Sequence, residues 1–220
     1  MDIEGEDFAK LAVQLRCPDE NGGLNVADMM SETNSGMILN TIRVMGLANG
    51  ESVLELGHGG ASHLEKLMER ASGLKYMGLD ISDLMDKVAR KYNHLFCENG
   101  IADFALYNGN QIPFGNNAFD KIFTVNTLYF WETPAELMAE LHRVLRPGGE
   151  CLVTFVDKGF MEKLPFAENG FTLYDIARFR DLADMTEFSL SEVRTFTEEI
   201  IVSSGDSVER RYSVARLLKE

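Results

Sequence analysis

The residues best placed to do chemistry sit at the ends of short apolar runs. Glu55 lies in the run Ser52–Leu56 (SVLEL), Gly57 and Gly59 follow it, and Asp80 closes a second run at 74–80 (LKYMGLD). A strand that runs out into glycines lets a ligand approach bare backbone, because no Cβ stands in the way. If a helix begins at once, its first N–H groups also point outward as donors. An aspartate at the next strand end can accept both hydroxyl hydrogens of a ribose, so the ligand reads as a nucleoside. A dinucleotide fits poorly. Its fingerprint needs glycines at first, third and sixth positions, and counting from Gly57 the sixth residue is Ser62. Glu55 would also face a pyrophosphate with like charge, whereas a cationic, phosphate-free end suits it. A nicotinamide-dependent oxidoreductase therefore stands as the alternative, and a cofactor-binding protein without turnover as a further one.

These residues need a scaffold that brings strand ends together. Strands read at 52–56, 74–80, 103–107, 119–125 and 150–156, with helices between them at about 60–71, from Ser82 to about Phe96, and from a Thr133-Pro134-Glu136 capping box to Leu145. Alternating strands and helices imply a doubly wound, mostly parallel sheet with right-handed crossovers. After Asp157 the rhythm changes. Residues 158–170 read as irregular, Thr172–Met185 as a helix capped by Thr172, and 190–202 and 207–218 as a hairpin around Ser203-Ser204-Gly205-Asp206. That makes seven strands, the last two antiparallel. Ahead of the sheet, 3–16 (with Ile3, Phe8, Leu11 and Leu15) and Val26–Met45 read as helices, the second punctuated near Asn34–Gly36. The expected division is a helical N-terminal cap, 1–46, and a Rossmann-like domain, 47–220.

In such a sheet, ligands bind at the carboxyl ends of the strands. The site should thus collect Glu55 to Gly60, Asp80, Asn110 to Ile112, and Asn126 to Trp131. Glu55-x-Gly57-x-Gly59-x-Ala61 resembles the first motif of class I S-adenosylmethionine-dependent methyltransferases, with alanine where that family usually has a third glycine. Gly78-Leu79-Asp80-Ile81-Ser82 is similar to the family's ribose motif, and Gly109-Asn110-Gln111-Ile112-Pro113-Phe114 to its Gly-Asp-Ala-x-x-Pro-Phe. Phe119-Asp120 and Arg143-Val144-Leu145-Arg146-Pro147-Gly148-Gly149 follow in order, and the set most resembles the type 11, ubiquinone/menaquinone-biosynthesis-like branch. In the cap, Met30-x-x-x-Asn34 looks like a pattern of some of its members.

The resemblance implies S-adenosyl-L-methionine as cofactor. Gly57 and Gly59 would pass its methionyl part along backbone, and Glu55 would hold its ammonium and brace the loop. Asp80 would take the ribose, while Ile81 and Met85 would pack the adenine. Asn110 stands where the family has an aspartate, accepting with less charge assistance, and Gln111 would help through its backbone. His58 belongs to the same turn; on its own terms it reads as a satisfied or solvent-facing histidine.

For the transfer, Asn126 and Tyr129 are the catalytic candidates. Tyr129 either orients or deprotonates an acceptor, or seals the core behind Thr133. The cap and segment 158–185 are expected to cover the acceptor with Met29, Met30, Phe160, Met161, Phe166, Phe171 and Tyr174, which makes a small, largely apolar molecule the substrate class. A formal net charge of −14 argues against nucleic acid. The scattered cysteines support neither zinc nor disulfides, and no metal is expected. With no apolar run of spanning length and an acidic N-terminus, the chain reads as cytoplasmic, a monomer or homodimer.

Overall fold

The computed structural model describes residues 5–201, 205 and 207–220. Five parallel strands form first: β1 (Ser52–Leu56), β2 (Lys75–Asp80), β3 (Ala102–Leu106), β4 (Phe119–Val125) and β5 (Leu145–Val156). The hairpin β6 (Ser189–Ile201) and β7 (Ser207–Leu218) then adds antiparallel to β5, giving the order β3-β2-β1-β4-β5-β7-β6. From β1 the chain winds one way through β2 and β3, and from β4 it winds the other way. The strand order therefore reverses between β1 and β4, and a crevice opens beyond their carboxyl ends. Both strands are buried on both faces, which is why they read as near-continuous apolar runs. Leu54, Leu56, Ile122, Phe123, Leu152 and Val153 are fully buried at the centre of the core.

Two helices precede the sheet, α1 (Gly5–Arg16) and α2 (Gly23–Met45). α2 runs unbroken through Asn34–Gly36, where punctuation was expected. Gly36 serves a different purpose: a Cβ there would stand 2.2 Å from Glu198 Oε2, so the missing side chain lets β6 press a carboxylate against the helix. The helix after β1 is much shorter than expected, with α3 covering only Leu64–Met68. Gly57, Gly59 and Ala61 take φ of 72°, 54° and 47°, a left-handed alternation in which no α-helix can start. The cradle after β1 is thus a seven-residue loop ending at His63, and its donors are loop amides.

Ser82 caps α4 (Asp83–Tyr92) as expected, accepting from Met85 N–H at 3.2 Å. Asn93 then turns the chain into the separate α5 (His94–Glu98). Pro134 opens α6 (Pro134–Val144), but Thr133 makes no side-chain cap bond. Residues 158–170 hold α7 (Lys158–Met161) and a 3-10 turn, Pro165–Glu168. The following helix, α8 (Ile176–Asp184), is capped by Asp175 and not by Thr172, whose N–H is taken by Tyr129 O at 3.0 Å. Ile3 and, apart from Gly205, the expected turn Ser203–Asp206 fall outside the described residues.

Candidate functional site

A cavity of about 600 Å³ fills the crevice, floored by the strand ends and roofed by α1 and α2. Glu55, Gly57, His58, Gly59, Asp80, Ile81 and Asn110 all line it. Gln111 does not: its N–H donates to Asn108 Oδ1 at 2.8 Å, which shapes the loop from outside the wall. Asn108 and Tyr107 do line the cavity, as does Cys17 at the end of α1. No motif pointed to these.

On the β1–β2 side the charges are carefully held. Asp80 Oδ2 accepts from Gly59 N–H at 3.0 Å and Oδ1 from Ser82 N–H at 2.9 Å, so the carboxylate ties two loops together. Near-complete burial raises its pKa above the ordinary 3.8, against the lowering effect of His58 and the backbone donors. Glu55, only 2% exposed, accepts from the Tyr76 hydroxyl and pairs with His63 Nε2 at 2.8 Å, both through Oε2. Its carboxylate thus ties the end of the loop between β1 and α3 to β2 and keeps Oε1 spare. Tyr76 and His63 were not foreseen. A tyrosine two residues before Gly78 carries no spacing signal of its own.

His58 is neither solvent-facing nor fully satisfied. Its ring is buried, edge-on to Phe104 with centroids 4.9 Å apart. It fills the hole left by Gly78, where a Cβ would meet His58 Cδ2 at 2.7 Å. Nδ1 lies 2.7 Å from Gly59 O and so must donate, while Nε2 is buried without a partner.

The facing wall is apolar and amide-lined. It includes Met30, Asn34 and Ile38 from α2, Val125 at the end of β4, and Asn126, Phe130 and Trp131 from the segment after it. Asn126 holds φ at 60°, a left-handed conformation that asparagine tolerates better than most side chains. Its Nδ2 donates to Asn34 Oδ1 at 2.9 Å. Tyr129 is absent from this wall. The hydroxyl accepts from Val156 N–H and donates to Asn126 Oδ1 at 3.1 Å, and burial pushes the phenol well above its ordinary 10. Of the two roles open to Tyr129, the geometry matches sealing and orienting Asn126. Segment 158–185 also lies elsewhere than expected. Phe171 packs edge-on against Phe130, centroids 4.6 Å apart, and of the apolar residues expected to cover the acceptor only Met30 reaches the cavity.

Residues 54–153 match the family model for the methyltransferase domain, type 11. Over those residues the chain is similar to methyltransferases. It is 26% identical over 128 residues to the uncharacterized methyltransferase YdaC of Bacillus subtilis, covering 57% of this chain and 67% of that one. Against the ubiquinone/menaquinone biosynthesis C-methyltransferase UbiE of Klebsiella pneumoniae it is 28% identical, over 64% of this chain but only 57% of the relative. In fold it resembles a methyltransferase of Haloferax volcanii solved with the Trm112 methyltransferase activator, with TM-score 0.76, 18% identity, and 96% and 97% of the two chains covered.

The cavity fits the family's cofactor. Gly59 has nothing within 4 Å of the position a Cβ would occupy, so bare backbone faces the space beside the Asp80 carboxylate. Among the described residues no group of His, Cys, Asp and Glu side chains is arranged to hold a metal, and no helix is long and apolar enough to cross a membrane.

Proposed function

We propose that this methyltransferase moves the methyl group of S-adenosyl-L-methionine to a small, largely apolar acceptor held beneath α1 and α2. The observation that carries the reading is the division of one cavity into a charged, glycine-lined wall and an apolar, amide-lined wall. On the first wall, Asp80 accepts the ribose hydroxyls, Gly57 and Gly59 admit the methionyl chain, and Ile81 and Met85 pack the adenine. Glu55 faces the ammonium while Tyr76 and His63 hold its carboxylate still. Asn110 receives the adenine amino group. Gln111 acts only through the loop it shares with Asn108, and His58 supports the loop from below.

The bound cofactor supplies a methyl group already activated on sulfonium sulfur. What remains for the chain is to align the acceptor and to exclude water. Met30, Ile38, Val125 and Phe130 exclude water, and Asn126, held in its strained conformation, orients polar groups at their edge. None of the α2 or post-β4 wall residues named above titrates near neutrality, so the acceptor atom attacks in a form that needs no base from this wall. Residues 1–46 serve as the cap and 47–220 as the catalytic domain, acting as a monomer or homodimer in the cytoplasm.

Calorimetric titration of folded protein with S-adenosylmethionine and S-adenosylhomocysteine tests the reading. Binding of both is expected, and no heat from either would end it.

A further inference from the structure

The apolar wall ends in a polar atom left unpaired among the described residues, and the bonds around it fix its identity. Arg210, on β7, is 5% exposed and pairs with Glu198 at 2.6 Å. It also donates to Thr33 O and, through Nη1, to the Asn34 side chain at 3.3 Å. A guanidinium has no acceptor, so the Asn34 atom facing it must be the carboxamide oxygen. With that oxygen fixed, the Asn126 atom that meets it must be a donor. Asn126 thus presents Nδ2 to Asn34 Oδ1, at 2.9 Å, and turns its own Oδ1 to the Tyr129 hydroxyl, 3.1 Å away.

Asn34 Nδ2 is what remains. It makes no hydrogen bond among the described residues, yet it is not one of the sealed, unpartnered polar atoms, which are His58 Nε2 and Asp86 Oδ1. Asn34 itself is half-buried and lines the cavity between Met30 and Ile38. A donor held in one orientation within an apolar wall discriminates strongly, because a ligand that cannot pair with it strands it away from water.

We propose that Asn34 Nδ2 contacts the methyl acceptor directly, donating to an oxygen on it, and that Arg210 with Glu198 is the positioning pair for that amide. The acceptor is then a small, mostly apolar molecule carrying an oxygen with a free lone pair. This deepens the methyltransferase reading and rests on it for the word acceptor, but the site can be tested without turnover.

The probes are cyclohexanone and methylenecyclohexane, which differ only in oxygen against CH2. Trp131, the single tryptophan of the chain, lines the cavity and reports their binding by fluorescence. N34D is the decisive variant, since its carboxylate still accepts from Arg210 and Asn126 but has no N–H to donate. The affinity ratio of ketone to alkene should fall about tenfold in N34D, the loss of one hydrogen bond, with alkene binding and melting temperature unchanged. R210M should lower the ratio by loosening the amide, and R210K, which keeps a donor, should restore it. An unchanged ratio in N34D overturns the proposal, as does wild-type protein that takes up no cyclohexanone. S-adenosylhomocysteine titration of the same samples separates the two claims: failure there removes the methyltransferase reading, while the probe ratio still decides for Asn34.

Discussion

The two walls of the cavity are built by opposite strategies. On the β1–β2 side the contacts are short in sequence: Gly59 reaches Asp80 across 21 residues and Glu55 reaches His63 across 8. On the amide-lined side they are long: Asn126 meets Asn34 across 92 residues and Arg210 meets Asn34 across 176. The first wall is made by two adjacent strands and the loops that leave them, so its residues keep a fixed spacing. The second exists only after α2 has been laid over the sheet and the hairpin has closed against α2. A wall of local spacing suits a cofactor that never changes, and one of distant parts can be altered piece by piece without disturbing it.

Asp80→Ala should produce the largest effect and test the first wall. It removes two charge-assisted acceptors, each worth about 2 kcal/mol, so the affinity for S-adenosylhomocysteine should fall about a thousandfold by calorimetry. The pH dependence has a definite sign. Ribose hydroxyls donate to the ionised carboxylate, and burial raises the pKa of that group in the free site. Binding below the raised pKa must then expel a proton, so affinity is level above it and drops about tenfold per pH unit beneath it. The alanine variant should show no such slope. A slope that survives in it would assign the titration to another group.

The next effect lies where the walls touch. Gly57→Ala places a methyl 2.3 Å from Thr127 Cγ2 and imposes a φ of 72° on a residue with a Cβ. Thr127 cannot swing aside, because its hydroxyl is pinned by Thr124 and by Trp131 Nε1. Strain and overpacking together should cost about 3 kcal/mol in denaturant unfolding. Adding Thr127→Ser removes only the offending methyl, so the double variant should regain about half of that and keep the conformational part. Full recovery would mean that the backbone strain is negligible.

This division also explains what could be read before any coordinates. The strands, their order of appearance, the hairpin and the glycine-lined wall with Asp80 follow from apolar runs, glycines and strand-end carboxylates whose spacing the fold must conserve within one chain. Ser82 is legible as a cap because capping is settled within three residues. Thr172 misled for the opposite reason: Lys158 N–H claims the Tyr174 carbonyl that a helix begun at Thr172 would need, so α8 starts only after Asp175. Likewise Gly36 reads as a helix breaker until Glu198 arrives beside it. The helix expected after the glycines fails because Ala61 adopts a left-handed φ that its residue type does not announce.

Tyr129→Phe separates catalysis from support on the acceptor wall. It leaves Val156 N–H buried without an acceptor and frees Asn126 Oδ1, which should cost about 1.5 kcal/mol of stability. Because the hydroxyl does not face the cavity, methyl transfer to whichever acceptor is identified should keep its pH profile. A hundredfold loss of rate in a normally folded variant would return Tyr129 to the role of base.

The smallest effect belongs to the seam where the walls meet solvent. Arg16 at the end of α1 reaches Glu132, beyond Trp131, at 2.5 Å, and the two side chains are 45% and 62% exposed. An ion pair so open contributes little, so Arg16→Ala should change stability by no more than about 0.5 kcal/mol. Its consequence is kinetic. The pair ties α1 to the segment after β4 across the cavity mouth, and cofactor release followed by Trp131 fluorescence should quicken a fewfold. At about 1 M salt, where the screening length is about 3 Å, wild type and variant should release at the same rate. A difference that persists there would mean that Arg16 touches the ligand itself, and that the cap belongs to the binding wall and not only to its closure.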